Sequence, residues 1–141
     1  MYFKEMILTK SHINQLSYEI VGCAIEVHKQ LGPGLLEVVY HQCMQYELME
    51  KGFLVESEVA VPIHYKRMKL SNPLRLDLLV NSAIIVELKA VEILHPIYSA
   101  QLLSYMKLTQ KPKGLLINFF SENITKSLVP LVNEYFNMLP D

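Results

Sequence analysis

The sequence has few cysteines and no long apolar run, and each lack excludes a class of protein. Cys23 and Cys43 are the only cysteines, and they do not have the C-x-x-C spacing of zinc or redox sites. Both stand among apolar neighbours in helical patterns, so we expect reduced, buried thiols. The apolar runs are a handful of residues long, whereas a membrane-spanning helix needs roughly 20. We therefore expect no membrane span.

A secretory signal and a strong excess of charge are also lacking. The first ten residues carry charges around a short apolar patch, without the apolar core and cleavage site of a signal, so we expect a cytoplasmic protein. The net charge is −1, which excludes the global basic field that many nucleic-acid binders use. Four cations nevertheless supply a candidate for a local basic rim: Lys66, Arg67, Lys69 and Arg75.

A length of 141 residues is the usual size of one domain, so we expect a single domain over residues 1–141. Apolar residues recur at three- and four-residue steps over residues 11–30, which predicts a helix with one buried face. Gly32-Pro33-Gly34 breaks this pattern. Residues 35–51 then predict a second helix, which is apolar on most of its circumference.

The apolar spacing changes to two in the middle of the chain, which predicts β-strands. Residues 53–65 read as one extended strand with a bulge near residues 60–62. Two more strands follow at residues 74–80 and 83–89, and Asn81-Ser82 between them suits a tight hairpin.

The last part of the chain predicts a helix, a strand and a helix. The helix covers residues 96–109, the strand covers residues 115–120, and the final helix covers residues 124–138 with an interruption at Pro130. Three strands joined by short turns form an antiparallel meander, and the strand–helix–strand crossover adds a parallel neighbour. The sequence therefore predicts an α/β (α+β) fold with a mixed four-stranded sheet flanked by helices.

Three charged residues stand out because they interrupt apolar strands. Glu87 and Lys89 end one strand and share a face of it, and Asp77 is a lone carboxylate in the strand before. If Asn81-Ser82 is a two-residue turn, Leu76 pairs with Glu87 and Asp77 faces the other way. A longer turn or a bulge shifts the pairing by one residue and brings the two carboxylates together.

Converging carboxylates suit a divalent cation. They repel each other unless an ion such as Mg²⁺ offsets their charge, and such an ion polarises a phosphodiester and lowers the pKa of a bound water. Lys89 beside them would stabilise the developing negative charge. The alternative is a surface Glu/Lys pair at a strand end, with Asp77 as an edge charge. Residue types and spacing alone leave both interpretations open.

At these residues the sequence resembles a known family. Asp77 followed by Glu87-Leu88-Lys89 is similar to the D…(D/E)-x-K pattern of the PD-(D/E)XK nuclease superfamily. Upstream, Gly34-Leu35-Leu36-Glu37-Val38-Val39-Tyr40 resembles the signature of the GxxExxY family within that superfamily. The similarity covers most of the chain, from about residue 20 to residue 119. One departure is Leu76, which stands where the superfamily's name has proline.

The resemblance implies a fold and a set of roles. The fold is a restriction-endonuclease-like αβββαβ core, here with an extra N-terminal helix. Asp77 and Glu87 would bind Mg²⁺ or Mn²⁺, with the backbone carbonyl of Leu88 and the carboxylate of Glu37 as further ligands. Lys89 takes the role of the catalytic lysine, beside the catalytic carboxylates.

The resemblance also suggests residues that contact substrate. Gln101 and Tyr105 lie four residues apart on one helix face and are similar to the Q-x-x-x-Y element of the superfamily's exonuclease branch. In the alternative interpretation, the glutamine amide only bonds to a neighbouring strand. Arg75 stands two residues before Asp77 in the matched segment and is a third candidate for substrate binding.

The upstream signature and the histidines have simpler interpretations as well. Gly34 would let the helix end approach the sheet closely, and Tyr40 is either a core aromatic residue or a substrate contact. No two histidines have zinc spacing, so we expect each of the following to be hydrogen-bonded or exposed: His28, His41 and His95.

The leading hypothesis is a Mg²⁺-dependent phosphodiesterase that acts on nucleic acid, with DNA favoured over RNA. A second hypothesis is a catalytically silent domain that binds nucleic acid or a protein partner. A third is a structural dimer whose carboxylates cap a helix. A homodimer is a further hypothesis, because a chain this small can span few nucleotides, but the sequence does not identify its interface.

Overall fold

The computed structural model describes residues 8–141. Two antiparallel helices open this part of the chain, α1 over Lys10–Leu31 and α2 over Glu37–Glu50. The apolar face that the sequence predicts for α1 is buried, and it is formed by Ile13, Leu16, Ile20, Cys23, Ala24 and Val27. The sequence also predicted two reduced, buried cysteines. Both are free, but Cys43 is only partly buried.

Tyr40 fixes the connection between the two helices. Its buried ring stacks on Phe119, with centroids 4.5 Å apart. Its hydroxyl donates to the carbonyl oxygen of Gly32 at 2.5 Å and accepts from the backbone N–H of Leu35 at 3.1 Å. Tyr40 is thus a core residue of the fold that ties down the loop between α1 and α2.

Gly34 is needed in that loop for its backbone conformation. Its φ is +99°, a value that L side chains rarely adopt. A Cβ added at Gly34 would meet no atom within 4 Å. The prediction that this glycine approaches the sheet closely is therefore wrong. Glycine is favoured here because the turn requires a positive φ.

Seven strands follow α2 in two sheets: β1 Val55–Val61, β2 His64–Tyr65, β3 Met68–Lys69, β4 Leu74–Val80, β5 Ile84–Lys89, β6 Lys113–Asn118 and β7 Val129–Val132. The main sheet has the order β1-β4-β5-β6-β7, and β2 pairs with β3 alone. All neighbours in the main sheet are antiparallel except β5 and β6, which are parallel and connected through helix α3, Ile97–Thr109. The mixed sheet with its parallel crossover is confirmed.

The sheet has five strands instead of the four that the sequence predicted, because residues 124–138 do not form one helix. They form α4 Ile124–Ser127, strand β7 and α5 Glu134–Asn137. Pro130 disfavours a continuous helix, since it lacks an N–H and clashes with the preceding turn. An edge strand tolerates proline, and Pro130 lies opposite Leu115 on edge strand β7.

The long strand predicted for residues 53–65 is also divided. Strand β1 ends at Val61, and after Pro62 the chain forms the short β2–β3 hairpin. Lys66 in the turn of this hairpin has φ +54°. The proline and the turn remove the continuous ladder that alternation alone had predicted.

Two apolar clusters hold the helices to the sheet. The larger joins α1 and α2 to one face, through residues such as Leu78 and Val86. The smaller joins α3 to the other face, through residues such as Leu79 and Ile85. Within residues 8–141 no helix has the length and hydropathy needed to cross a bilayer.

Gly114 sets how closely α3 packs on β6, and we expect Gly114→Ala to lower the free energy of unfolding by about 1–3 kcal/mol. A Cβ at this position would lie 2.7 Å from Met106 Sδ and 2.9 Å from Leu102 Cδ1. The matched control is Gly22→Ala in α1, where an added Cβ meets nothing within 4 Å and which we expect to be neutral or stabilising. Urea unfolding of both variants measures the difference. Equal stabilities would contradict the tight packing.

Candidate active site

The turn between β4 and β5 determines which side chains meet on these strands. Asn81 and Ser82 have φ values of +51° and +53°, and the first ladder pair beyond the turn is Val80 with Ile84. Three residues, one more than the shortest hairpin, therefore separate the paired positions. This is the longer turn that the carboxylates require, since Leu78 now lies opposite Val86 and the next position places Asp77 beside Glu87.

Beyond Leu78 and Val86, hydrogen bonds from backbone N–H groups to side chains replace the backbone–backbone bonds between β4 and β5. The backbone N–H of Leu88 donates to Asp77 Oδ2 at 2.8 Å. The backbone N–H of Asp77 donates to Glu87 Oε1 at 3.3 Å. The two carboxyl groups thus lie together at the point where β4 and β5 separate. The arrangement in which Asp77 and Glu87 face opposite layers does not occur.

A second irregularity in β1 lies directly across from Asp77. Ser57 pairs with Leu78 and Val59 pairs with Leu76, which places Glu58 opposite Asp77. Glu58 has φ +50°, a left-handed conformation that is unusual for a non-glycine residue inside a strand.

At this position the side chains of β1 and β4 switch from one face of the sheet to the other. Val55 packs with the α1 and α2 cluster, whereas Val59, although an even number of residues away, packs with the α3 cluster. Strand β4 behaves likewise, because Leu78 belongs to the first cluster and Leu76 to the second. Asp77 therefore lies where β4 changes from packing against α1 and α2 to packing against α3. A regular strand would place Val55 and Val59 on one face, so the alternation of β1 is broken between them.

The carboxyl group of Glu87 is almost inaccessible to solvent. Only 8% of the residue is exposed. Burial, and then the neighbouring charge of Asp77, raise the pKa of Glu87 to about 9. Among residues 8–141 the one ion pair within 4 Å joins Lys10 and Asp141, so no lysine or arginine of this part neutralises the two carboxylates directly. The pair is an acidic site, buried at Glu87 and partly buried at Asp77, without an ion-paired cationic side chain.

Lys89 is held by an aromatic ring close to the carboxylates. Its Nζ lies 4.5 Å from the centroid of the Tyr98 ring, within the range of a cation–π interaction. Sequence reasoning missed Tyr98. The signal was present, because Tyr98, Gln101 and Tyr105 have the i, i+3, i+7 spacing of one helix face.

One cavity of about 150 Å³ joins the predicted catalytic and substrate-binding side chains. It is lined by Arg75, Asp77, Glu87, Lys89, Tyr98, Gln101, Leu102, Tyr105 and Leu116. Gln101 is exposed, and its amide makes no hydrogen bond to any residue between 8 and 141, so the strand bond of the alternative interpretation is not observed. Burial, and then the charge of Glu87, raise the pKa of Tyr105.

Glu37 lies in a neighbouring pocket and not in the cavity with Glu87. That pocket, of about 500 Å³, shares Asp77 with the cavity and is otherwise lined by α2 and β1, including His41 and Glu58. Burial, outweighing the nearby charge of Lys89, raises the pKa of Glu37, and Asp77 contributes in the same direction. Glu37 thus lies at the mouth of the acidic pair, on the side of α2.

The predicted histidines have hydrogen-bond partners. His28 Nε2 lies 2.6 Å from the carbonyl oxygen of Ser121, and His41 Nε2 lies 2.6 Å from Ser57 Oγ. His95 Nδ1 accepts from the backbone N–H of Ile97 at 3.0 Å. Their partners account for all three without a metal.

The donor atoms of the site fit a hard divalent cation. Asp77 and Glu87 supply carboxylate oxygens. The N–H of Leu88 points to Asp77, and because the N–H and C=O of a strand residue face the same neighbour, its carbonyl oxygen faces the same side. No group of three His, Cys, Asp or Glu side chains within residues 8–141 is close enough to hold a metal by itself. A cation here would therefore depend on two carboxylates, a backbone oxygen and ligands that do not belong to this cluster.

Comparison with known proteins agrees with this geometry. A model of the PD-(D/E)XK nuclease superfamily matches residues 14–129, which include every residue of the cavity. No curated protein and no solved structure matches the chain. The matched region covers most of the sequence and contains an acidic pair followed by lysine on adjacent strands of a mixed sheet. The chain therefore belongs to the PD-(D/E)XK nuclease superfamily.

Proposed function

We propose that the protein is a Mg²⁺-dependent nuclease, with Mn²⁺ as an alternative ion, and that DNA is favoured over RNA as its substrate. The observation that supports this most is the meeting of Asp77 and Glu87 at the separated ends of β4 and β5. A buried carboxyl group beside a partly buried one, without a cationic partner, is unfavourable unless the pair binds a proton or a cation. Superfamily membership gives this pair its chemical context.

Each residue near the pair has a place in this proposal. Asp77, Glu87 and the carbonyl oxygen of Leu88 would hold the ion, and Glu37 would reach it from the mouth of the neighbouring pocket. The ion, when bound, would polarise the phosphodiester and lower the pKa of a water molecule, which then supplies a hydroxide nucleophile. Lys89 places a positive charge where negative charge develops on the phosphate.

The remaining cavity residues would position the substrate. Arg75 lies on the exposed side of the cavity and donates from Nη1 to the carbonyl oxygen of Glu58 at 3.4 Å, which leaves its other N–H groups available for a phosphate. The free amide of Gln101 and the hydroxyl of Tyr105 lie on the α3 side of the same cavity. Together they would bind the nucleic-acid backbone on both sides of the reacting phosphate.

We further propose that the chain is a member of the GxxExxY family. Two residues of that signature have structural roles. Gly34 adopts the positive φ of the turn between α1 and α2, and Tyr40 anchors this loop to the core. Both fix the start of α2, where Glu37 is the first residue. The signature would thus hold one acidic side chain at the mouth of the site. The single domain, the cytoplasmic location and the homodimer remain predictions from the sequence.

A catalytically silent, nucleic-acid-binding domain is the second candidate. The observation in its favour is that Glu37 does not join Asp77 and Glu87 as a third ligand in the described part of the chain. Such a domain would bind nucleic acid and release no product.

The two candidates differ in an assay of purified protein with DNA and RNA, single- and double-stranded. We expect hydrolysis in Mg²⁺ or Mn²⁺ that stops in EDTA and is absent in Asp77→Asn. This variant retains an oxygen to accept the Leu88 N–H bond, so that its loss of activity reports on the charge and not on folding. Binding without any product in either ion would favour the silent domain, and an equal activity of Asp77→Asn would contradict the proposed site.

Tyr98 is expected to support the reaction by positioning Lys89. A cation–π contact contributes about 0.5–2 kcal/mol, so Tyr98→Leu should lower kcat by about tenfold. Tyr98→Phe keeps a ring and should retain most of the activity. The affinity for Mn²⁺ should be the same in both variants, because Tyr98 is not a ligand. Equal losses of kcat in the two variants would point instead to a role for the tyrosine hydroxyl.

A further inference from the structure

The charges of the chain are unevenly distributed. From Val59 to Leu76 the sequence contains no acidic residue and four cations, whereas the whole chain has a net charge of −1. All acidic residues therefore lie elsewhere, and this segment is a basic stretch in an otherwise acidic protein. Its cations are Lys66, Arg67, Lys69 and Arg75.

Most of this charge lies on the β2–β3 hairpin, residues 63–70, which we call the basic hairpin. The hairpin is separate from the main sheet, and the backbone N–H of Leu70 donates to the carbonyl oxygen of Ile63 at 2.8 Å to close its base. Every residue from His64 to Lys69 is exposed. The hairpin thus projects its side chains into solvent.

The two faces of the basic hairpin differ. Tyr65 pairs with Met68, and directly paired residues of antiparallel strands share a face. These side chains are 61% and 55% exposed, so this face presents an aromatic ring and a flexible apolar side chain to solvent. His64 and Lys69 pair in the same way and form the other face, while Lys66 and Arg67 form the tip.

The cations of the basic hairpin are not neutralised by the described protein. The one ion pair among residues 8–141 lies elsewhere, at Lys10 and Asp141. Within residues 8–141 the one cation–π contact of a hairpin cation is that of Lys66, whose Nζ lies 5.4 Å from the centroid of the Tyr65 ring. Cations without acidic neighbours beside an exposed ring are the combination that binds single-stranded nucleic acid.

The basic hairpin is connected to the cavity by a short piece of chain. Four residues lie between Lys69 and Leu74, where β4 begins, so the Cα atoms of these two residues are at most about 18 Å apart. Arg75 follows immediately and lines the cavity together with Lys89. Positive charge therefore continues from the hairpin through Arg75 to the reaction site.

We propose that the basic hairpin binds a single-stranded segment of nucleic acid next to the bond that is cut. Arg67 and Lys69 bind its phosphates, and Tyr65 stacks on an unpaired base. This inference rests on the proposed nuclease function and adds to it the form of the substrate. A single strand is specified because a stacking ring needs an exposed base face, which a duplex does not offer within its stack.

The test measures the binding of a labelled DNA oligonucleotide, single-stranded or annealed to its complement, in EDTA at several salt concentrations. Arg67→Gln/Lys69→Gln should reduce the slope of log affinity against log salt by about 1.4, the value for two phosphate contacts on a single strand. Tyr65→Ala should weaken single-strand binding by about tenfold and leave duplex binding unchanged. The matched control, Lys51→Gln/Lys107→Gln, removes the same charge from exposed positions outside the hairpin and should keep the full slope.

Several results would overturn the inference. Equal slopes in the two double variants would show that only the net charge of the protein matters. Equal losses of duplex and single-strand binding in Tyr65→Ala would show that Tyr65 does not stack on an unpaired base. Hydrolysis of bis(p-nitrophenyl) phosphate in Mn²⁺ is measured in parallel, because this small diester has a single phosphate and no further nucleotides for the hairpin to bind. We expect it to be the same in wild type and both hairpin variants. If the wild type hydrolyses neither this diester nor DNA or RNA, the proposed nuclease function fails, while the binding data still decide the role of the hairpin.

Discussion

Lys89→Met should abolish most of the hydrolysis while leaving the affinity for Mn²⁺ unchanged. The methionine fills similar space against the ring of Tyr98 but has no charge to stabilise the phosphate. Loss of one such electrostatic group costs about 10²–10³-fold in rate. Single-turnover cleavage and calorimetric titration with Mn²⁺ measure the two properties separately.

Two comparisons make this result specific. Lys107→Met changes an exposed lysine of α3 outside the cavity and should be fully active. Asp77→Asn should lose both hydrolysis and Mn²⁺ affinity, because it removes a ligand charge. If Lys89→Met cleaves at the wild-type rate, Lys89 has no catalytic role and the activity belongs to another site or to a contaminant.

In EDTA the stability of the wild-type protein should fall as the pH rises, and Glu87→Gln should remove most of this fall. Glu87 has a folded pKa of about 9 against an ordinary value of 4.5. Between these values the folded protein holds a proton that the unfolded chain has released. The associated stability is therefore complete below about pH 4.5 and is lost as the pH approaches 9, by at most about 1.4 kcal/mol per pH unit.

The measurement is urea unfolding of both proteins at pH 6, 7 and 8, with the difference between them taken at each pH. The glutamine carries no charge at any of these values, so Glu87→Gln should gain stability relative to the wild type as the pH increases. In Mn²⁺ the wild type should be the more stable of the two proteins, because only the wild type binds the ion well. Parallel pH profiles in EDTA would contradict the assignment of a buried, protonated carboxyl group to Glu87.

The sequence predicted the elements whose apolar spacing has one interpretation. Helix α1 and strands β4, β5 and β6 lie within a few residues of their expected positions. Residues 124–138 were misassigned because Val129 and Leu131 fit a strand as well as a helix, and only pairing with β6 distinguishes the two. A short pattern of this kind does not determine secondary structure by itself.

The candidate catalytic residues could be proposed from the sequence, but their meeting could not be derived from it. Asp77 and Glu87 stood out as charges in apolar strands, yet their relative orientation depended on one residue of turn length. The structure resolves this through the left-handed conformations of Asn81 and Ser82. The same is true of Glu58, whose φ of +50° exchanges the faces of β1 next to Asp77. None of these positive-φ positions is a glycine, so the sequence gives no signal of the left-handed conformation there.

Tyr98 shows the opposite case, in which the signal was present but had no meaning without the fold. Its spacing from Gln101 and Tyr105 placed it on the same helix face. Only the position of α3 over β5 and β6 brings that face against Lys89. Contacts between distant parts of the chain of this kind follow from packing and not from local pattern.

The central claim is that Asp77 and Glu87 bind one divalent cation between them. A crystal of the protein grown with Mn²⁺, measured for anomalous scattering, tests it most directly. We predict an anomalous peak within about 2.0–2.3 Å of an oxygen from each carboxylate, as expected for a small divalent ion, with the carbonyl oxygen of Leu88 adjacent. A Mn²⁺ peak at another site, with no peak between the two carboxyl groups, would contradict the claim.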